Sequence, residues 1–382
     1  MLGHADVVIS GGGPVGVALA LALADSGLSV QVLEARMDLT RSVWTRTLAL
    51  SYGSRLILDR LGIWQDLRDV SPIRHIHVSQ RHSLGQSVLH AEEEQVPELG
   101  YVVDYAELDA ALHAALRTSP VKVVTGARVG QSGSMTGYAW AHVGETNQLV
   151  TARMLAIADG GAGQQGKRVL RDYGQHALLA WVKPAAFRPD WAFERFTDQG
   201  PVALLPQNEG YALVWTGTPE RVQALLALPD ADFLSALHEQ FGDRVGEFLQ
   251  VRERHYFPLQ LSDNIDAVQP HRVMIGNAAH VLHPVAGQGF NLGLRDAWEL
   301  AQLAAEWPRA DLGSPAMLSR YAGRRTVDVR ASMWFTDGLV RLFSRDDPVL
   351  HHLRGAGLMA LQQFSPARHF VARRMMFGAR AW

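Results

Sequence analysis

Six residues near the start, Gly11-Gly12-Gly13-Pro14-Val15-Gly16, restrict the fold more than any other part of this chain. They follow an apolar run, Ala5 to Ser10, that reads as a buried parallel strand. A helix from about Val15 to Ser26, ended by Gly27, comes next. A second strand, Val30 to Leu33, finishes at Glu34. In this order the glycines have separate tasks. Gly11 permits a tight turn, Gly13 lets backbone approach a pyrophosphate, and Gly16 lets the helix pack closely on the strand. Pro14 belongs to the same phosphate-facing turn. The helix N-terminus then offers free N–H groups and a partial positive charge. Glu34, 18 residues after Gly16, is placed to accept hydrogen bonds from an unmodified ribose. It would repel a 2′-phosphate, so the expected nucleotide is FAD or NAD rather than NADP.

A second glycine-rich site lies late in the chain. Gly276-Asn277-Ala278-Ala279-His280 is followed by His283-Pro284-Val285-Ala286-Gly287-Gln288-Gly289-Phe290-Asn291-Leu292-Gly293. A strand, Arg272 to Ile275, enters it and a helix leaves it. Glycines 287, 289 and 293 let backbone lie against a flat ligand. A helix N-terminus aimed at a reduced flavin would stabilise the negative charge near its N1 and O2.

Between these sites the spacing predicts a helix over Arg46 to Trp64, strands over Arg74 to His90, a helix over Tyr105 to Arg117 and a strand over Val121 to Val124. A strand from Leu149 to Ala158 enters Asp159-Gly160. Residues 171–264 read as a mostly antiparallel layer, and the chain is mostly helical from Leu292 onward. Strand-plus-glycine signals therefore return near 159 and 276. That return favours one nucleotide domain assembled from separated segments over two consecutive domains. The expected division is 1–72, 98–170 and 265–332 for the nucleotide domain, 73–97 and 171–264 for an inserted sheet domain, and 333–382 for a C-terminal helical segment.

Composition excludes several alternatives. The 382 residues are 47% hydrophobic and 19% charged, enough for a large core and against disorder. A net charge of −2 gives no attraction to nucleic acid, which is not expected as a partner. There are no cysteines, so disulfides, thiolate catalysis and iron–sulfur clusters are excluded. No H-E-x-x-H or similar spacing appears, and no metal is expected. The Val15 to Leu23 stretch lacks the basic flank of a signal peptide, and no run is long enough to span a bilayer. The expected location is cytoplasmic.

The chain resembles the FAD-dependent aromatic monooxygenases, and within them the ubiquinone-biosynthesis hydroxylases. The resemblance rests on Gly11 to Gly16, Arg46-Thr47-Leu48-Ala49-Leu50-Ser51, Leu99-Gly100-Tyr101-Val102-Val103 and Asp172-Tyr173-Gly174-Gln175-His176-Ala177. Its most specific part is His283-Pro284-x-x-Gly287-Gln288-Gly289-x-Asn291-Leu292-Gly293-x-x-Asp296, and it continues into Thr336-Asp337-Gly338-Leu339. It implies an α/β fold of the para-hydroxybenzoate-hydroxylase type: a Rossmann-like FAD domain, an inserted antiparallel sheet domain for substrate and a C-terminal helical segment. The implied reaction hydroxylates a polyprenylated phenol or quinol, using NAD(P)H and O2 through a C4a-hydroperoxyflavin. Gly11, Gly13, Gly16 and Glu34 would hold the ADP half, with Arg46 near FAD. Pro284 and Gly287 would line the flavin front, and Gly289, Phe290 and Asn291 its edge, the last two through backbone groups. A soluble aromatic substrate, or a non-catalytic lipid-binding scaffold, are the competing readings.

Two departures stand out. The family has Gly-Asp where this chain has Gly276-Asn277; the amide keeps hydrogen-bonding capacity on the ribityl chain but loses the charge. Ala158-Asp159-Gly160 is intact, but Gly161-Ala162-Gly163-Gln164-Gln165-Gly166 replaces the small residue, serine and arginine that follow in the family. Asp159 is retained as a cofactor residue. His280 reads as a structural hydrogen-bonding residue, and His283 as a proton relay or a loop-packing residue. Tyr211 and Trp215 read as core. No residue stands out as the group that deprotonates a phenol. The segment His351 to Trp382 has five arginines and no acid. It reads as a solvated basic face on a packed helix, or as a contact with an anionic inner-membrane surface or a partner protein.

Overall fold

A computed structural model describes residues 3–39, 47–145, 148–161, 167–282, 287–343 and 348–380. The strand His4–Ser10 is the centre of the first sheet, and its last six residues are buried. It pairs in parallel with Val30–Leu33 on one side and Gln148–Ile157 on the other. Lys122–Val124 extends the parallel sheet beyond Val30–Leu33, and Arg272–Met274 extends it beyond Gln148–Ile157. Strands that begin at His4 and at Arg272 thus share one sheet. Helix α1 (Pro14–Ala22) covers this sheet; it is shorter than expected, and a turn carries the chain to Gly27 at φ +74°.

Arg46 to Trp64 is not one helix. Thr47–Ser51 is a strand, antiparallel to Gly100–Asp104, and α2 (Tyr52–Arg60) starts only after it. The reason is visible in the burial: Leu48 and Leu50 point inward while Thr47 and Ala49 are half-buried, the period of two of a strand. Ser51 then caps α2 by accepting a hydrogen bond from the Ser54 amide at 3.2 Å. Helix α3 (Tyr105–Thr118) is capped likewise by Asp104, which accepts from the Ala106 and Glu107 amides.

The second sheet has eight strands among the described residues. Its spine is the antiparallel pair Lys167–Pro184 and Phe248–Asn264. Gly210–Gly217, Gly200–Gln207 and Trp191–Thr197 follow in antiparallel order. The neighbouring His75–Gln80 joins Trp191–Thr197 in parallel and Gln86–His90 closes the edge. One face is covered by α4 (Pro219–Ala227) and α5 (Asp230–Phe241), which bury Tyr211, Trp215, Phe233 and Phe241. Tyr211 and Trp215 are therefore core, as expected. The opposite face is left for a cavity.

Four helices complete the chain: α6 (Gln288–Glu306), α7 (Pro315–Phe343), α8 (Pro348–Gln363) and α9 (Ser365–Phe377). The tail is not a solvated basic face. Arg368 donates to both carboxylate oxygens of Glu93 at 2.8 and 3.1 Å, and His369 Nδ1 lies 2.6 Å from Glu94 Oε1. Arg354 is buried, and Arg374 approaches Asp328 at 3.9 Å. Arg368 and Arg374 thus answer acids elsewhere in the fold, while Arg373 stays exposed 4.0 Å from Glu94. No described helix is long and apolar enough to cross a membrane.

Candidate active site

One cavity of about 1370 Å³ runs from the first glycine turn, past Asn277 and Gly287, to the uncovered face of the second sheet. Its far end is closed by Phe335 and Leu339 of α7, Leu358 and Leu361 of α8 and Met375 of α9.

At the near end the three glycines have different surroundings. Gly11 has φ +107°, and a Cβ there would stand 2.6 Å from the Ala158 carbonyl oxygen. Around Gly13 a Cβ would meet nothing within 4 Å; this is the open side on which phosphates fit. A Cβ on Gly16 would collide with the Gly11 carbonyl oxygen, so this residue sets how tightly α1 sits on the strand. Pro14 occupies the first turn of α1, where its missing N–H costs nothing. Glu34 is buried and lines the cavity. It also has a role that the spacing did not reveal: Oε2 accepts from the Gly12 amide at 2.6 Å and Oε1 from the Arg36 amide at 2.8 Å. The carboxylate braces the turn that it helps to serve. Asp159 follows the neighbouring strand beside Gly11, lines the cavity and accepts from the Gly161 amide at 3.0 Å, with Gly160 and Gly161 both at positive φ.

The second glycine site is held by a buried acid. Gly276, at φ +60°, donates its amide to Asp296 Oδ2 at 3.1 Å. His280 Nε2 lies 2.7 Å from the same oxygen, and Arg325 Nε donates to Oδ1 at 2.7 Å. Arg325 also donates to Asp328, which accepts from Arg295. Burial alone would raise the Asp296 pKa, but His280 and Arg325 outweigh it and hold the group well below the usual carboxylate range. His280 is buried against Asp296 and does not line the cavity. Asn277 stands exposed on the cavity wall.

Gly287, left-handed at φ +60°, precedes α6, and a Cβ on it would press on Ala49 at 2.8 Å. Gly289 has open space around it, and Phe290 lines the cavity. The Asn291 side chain is buried and fully engaged. Its Nδ2 donates to the Ala49 and Gly287 carbonyls, and its Oδ1 accepts from the Ser51 amide and the Ser54 hydroxyl. Any contribution from Asn291 to a ligand therefore falls to its backbone, and the side chain ties the α6 N-terminus to the Thr47–Ser51 strand. Arg46, His283 and Pro284 lie outside the described residues.

The residues present fit FAD. A phosphate-facing turn open at Gly13, an acid at ribose distance along the sheet, and glycine backbone leading into a helix N-terminus line one continuous cavity. Among the described residues no group of His, Asp or Glu is arranged to hold a metal ion.

Sequence reading missed one titratable residue of the far end. Glu194 projects from the strand Trp191–Thr197 into the cavity, between Ala192 and Phe196 on its own strand. An acid in the middle of an apolar strand, two residues from each of two cavity-facing neighbours, is the local signal that could have found it.

Comparison with known proteins follows the same lines. A family model described as "FAD binding domain" matches residues 4–336. A ubiquinone hydroxylase UbiL of Rhodospirillum rubrum is 35% identical, over 97% of this chain and 89% of that protein. The 3-demethoxyubiquinol 3-hydroxylase of Escherichia coli is 30% identical, over 94% of this chain and 95% of its own length. Among solved structures, p-nitrophenol 4-monooxygenase of Pseudomonas putida superposes with a TM-score of 0.77 over all of both chains at 17% identity. A Klebsiella pneumoniae protein, HpxO, crystallised with FAD and uric acid, gives 0.75 over 98% and 97% of the two chains, also at 17% identity.

Proposed function

This chain belongs to the FAD binding domain family, and from that premise we propose that it is an FAD-dependent monooxygenase that hydroxylates the aromatic ring of a polyprenylated phenol or quinol on the way to ubiquinone. One observation carries the reading: the cradle that fits FAD opens directly into an apolar chamber walled by the second sheet and the C-terminal helices. Bound FAD, reduced by NAD(P)H, would supply the activation of dioxygen. The chain's own residues bind, orient and exclude water. Gly11, Gly13 and Glu34 hold the ADP half, with Gly16 seating α1 behind them; Asp159, Asn277 and the Gly287–Asn291 backbone hold the rest. Val78, Leu205, Val214 and Phe257 present an apolar wall to an aromatic ring and its prenyl chain. On this reading segments 1–72, 98–170 and 265–332 form the FAD domain and 73–97 with 171–264 the substrate domain.

A membrane contact would suit such a substrate. The helices that close the chamber also carry exposed apolar side chains, Trp334, Leu353, Phe364 and Phe370. Because Arg354, Arg368 and Arg374 are drawn into the fold, insertion of these apolar side chains more than charge would drive peripheral binding. Cosedimentation with neutral and anionic vesicles tests this: binding to both, lost in Trp334→Ser with Phe370→Ser, is expected.

The test of the reaction is direct. Purified protein with FAD, NADH or NADPH and a short-chain prenylated phenol should release a product carrying one atom from isotopically labelled dioxygen. Turnover of soluble phenols alone would move the assignment to a soluble aromatic. A colourless protein that takes up no FAD would sink it in favour of a scaffold.

A further inference from the structure

Three acids line the cavity among its described residues: Glu34, Asp159 and Glu194. The first two serve the nucleotide end and are bonded to backbone amides there. Glu194 stands alone at the other end. Its row across the sheet is fixed by register: Val78 on one side and Ala203 on the other, with Val214 beyond. All of these line the cavity, as do Ala192 and Phe196 on its own strand. The helices facing this wall contribute Phe335, Leu339, Leu358 and Leu361. None of these neighbours titrates, and no described residue donates a hydrogen bond or an ion pair to the Glu194 carboxyl. The adjacent cation, Arg195, points to the other face of the sheet, where it donates to Gln240 and Ser79.

A carboxyl set in an apolar wall without a partner is costly to the fold, and its partner is then to be sought in the ligand. We propose that Glu194 is the residue that receives the ring hydroxyl of the aromatic substrate and takes its proton. This rests on the hydroxylase reading above and assigns a base to it. The step is a proton transfer with no change of oxidation state. The phenolic O–H bond breaks, its electron pair stays on the ring oxygen, and a new O–H bond forms on the carboxylate. The ring becomes richer in electrons at the positions ortho and para to the oxygen, which is what an electrophilic hydroxylation requires. The proton returns to the ring oxygen of the product. Glu194 also answers how a largely apolar chamber orients a flat ring: the sheet wall carries the Ser87 and Thr216 hydroxyls and Gln260 as well, but Glu194 is its one acid among the described residues and so the group there that can take the proton. Burial, with no cation near to offset it, pushes the Glu194 carboxyl up to about 7. A base of that strength is half-ionised at neutral pH, where a positioned general base works best.

The pH dependence of kcat/KM for a short-chain prenylated phenol tests the proposal on the wild-type enzyme. The rate should rise with pH through an apparent pKa near 7 and then level off, while FAD reduction by NAD(P)H without phenol should lack that limb. Glu194→Gln should hold FAD normally, lose the limb, and fall about 100-fold or more in kcat/KM, the scale of a removed general base. Glu194→Asp should restore part of the rate and the limb with it. Wild type should also bind the phenol more tightly than its O-methyl ether, by flavin absorbance titration, and Glu194→Gln should narrow that preference. Wild-type turnover with no limb near 7, or a Glu194→Gln profile that matches wild type, overturns the role of Glu194 and leaves the hydroxylase standing. A flavin-loaded wild type that turns over no phenol overturns the hydroxylase reading and this base with it.

Discussion

Asp296 is buried outright and Glu194 is half-buried in a cavity wall, and the fold treats the two acids in opposite ways. Asp296 sits beneath the second glycine turn with the Gly276 amide, His280 and Arg325 around it. Those partners keep it ionised far below neutral pH. Glu194 sits in the chamber wall with aliphatic and aromatic neighbours, and its carboxyl rises to about 7. The nucleotide end is built to have one arrangement before any ligand arrives, each buried charge answered from within the chain. The substrate end leaves a charge unanswered. Burial therefore does not predict whether an acid is structural; the presence or absence of partners does.

The largest effect separating the two acids is on folding. Asp296→Ala leaves Arg325 and His280 buried without their shared counter-charge and the Gly276 amide without an acceptor. A loss of about 3–5 kcal/mol, the usual penalty for breaking a buried ion pair from one side, is expected in urea unfolding. A loss below 1 kcal/mol would remove the distinction drawn here.

Glu194→Gln should act in the other direction. The folded-state pKa of Glu194 lies above the value of about 4.5 for an unperturbed glutamate, so the folded form holds its proton more tightly than the unfolded chain. The destabilisation is absent below that unfolded value, grows as pH rises toward 7, and stays above it. Removing the charge should thus change little at pH 4 and stabilise by roughly 2–3 kcal/mol at pH 8. A gain in stability joined to a loss of activity marks a site residue. Thermal unfolding at both pH values checks it, and a gain that does not depend on pH would count against the titration.

Sequence alone showed the nucleotide end well, because its demands are local. Gly11 at positive φ, the open side of Gly13 and the tight packing of Gly16 each follow from a glycine at a set distance from a strand end. The Thr47–Ser51 strand was read as helix because its leucines join Leu56, Leu58 and Leu61 in an acceptable helical pattern; pairing with Gly100–Asp104 decides otherwise. The Asp296–Arg325 pair joins α6 to α7 across 29 residues, with no local signal. Glu194 has a local signal, an acid spaced by two from Ala192 and Phe196, but its place in the chamber wall comes from its register against Val78 and Ala203, which the strand's own pattern does not contain.

Glu34 falls between the two extremes, since it is bonded from within and also lines the cavity. Glu34→Ala should weaken FAD binding by about 1–3 kcal/mol, through loss of the ribose contact and of the brace on Gly12. Fluorescence quenching titrations measure this. Unchanged FAD affinity with an altered choice between NADH and NADPH would mean that the first turn holds the nicotinamide nucleotide instead.

The smallest effect belongs to Asn277, the exposed residue where the resemblance implies an aspartate. Asn277→Asp keeps the shape and the acceptor oxygen and adds a charge. Two consequences oppose each other. A carboxylate is the stronger acceptor for hydroxyls of the ribityl chain, which favours binding. It also brings a second negative charge to a wall that already holds Asp159, whose turn reaches Asn277 through Gly161; a Cβ on Gly161 would stand 3.4 Å from the Asn277 carbonyl oxygen. Both effects act at the cavity surface, where water screens them, so a net change of no more than about 1 kcal/mol is expected, with FAD bound as well as or better than by the wild type. The repulsive part is sensitive to ionic strength and the hydrogen bond is not, so the variant should gain relative to wild type as salt rises. Flavin titrations at low and high salt separate the two. A loss of tenfold or more at both would show that this wall is tuned to the neutral amide, and that the nucleotide end also contains a position where an added charge finds no answer.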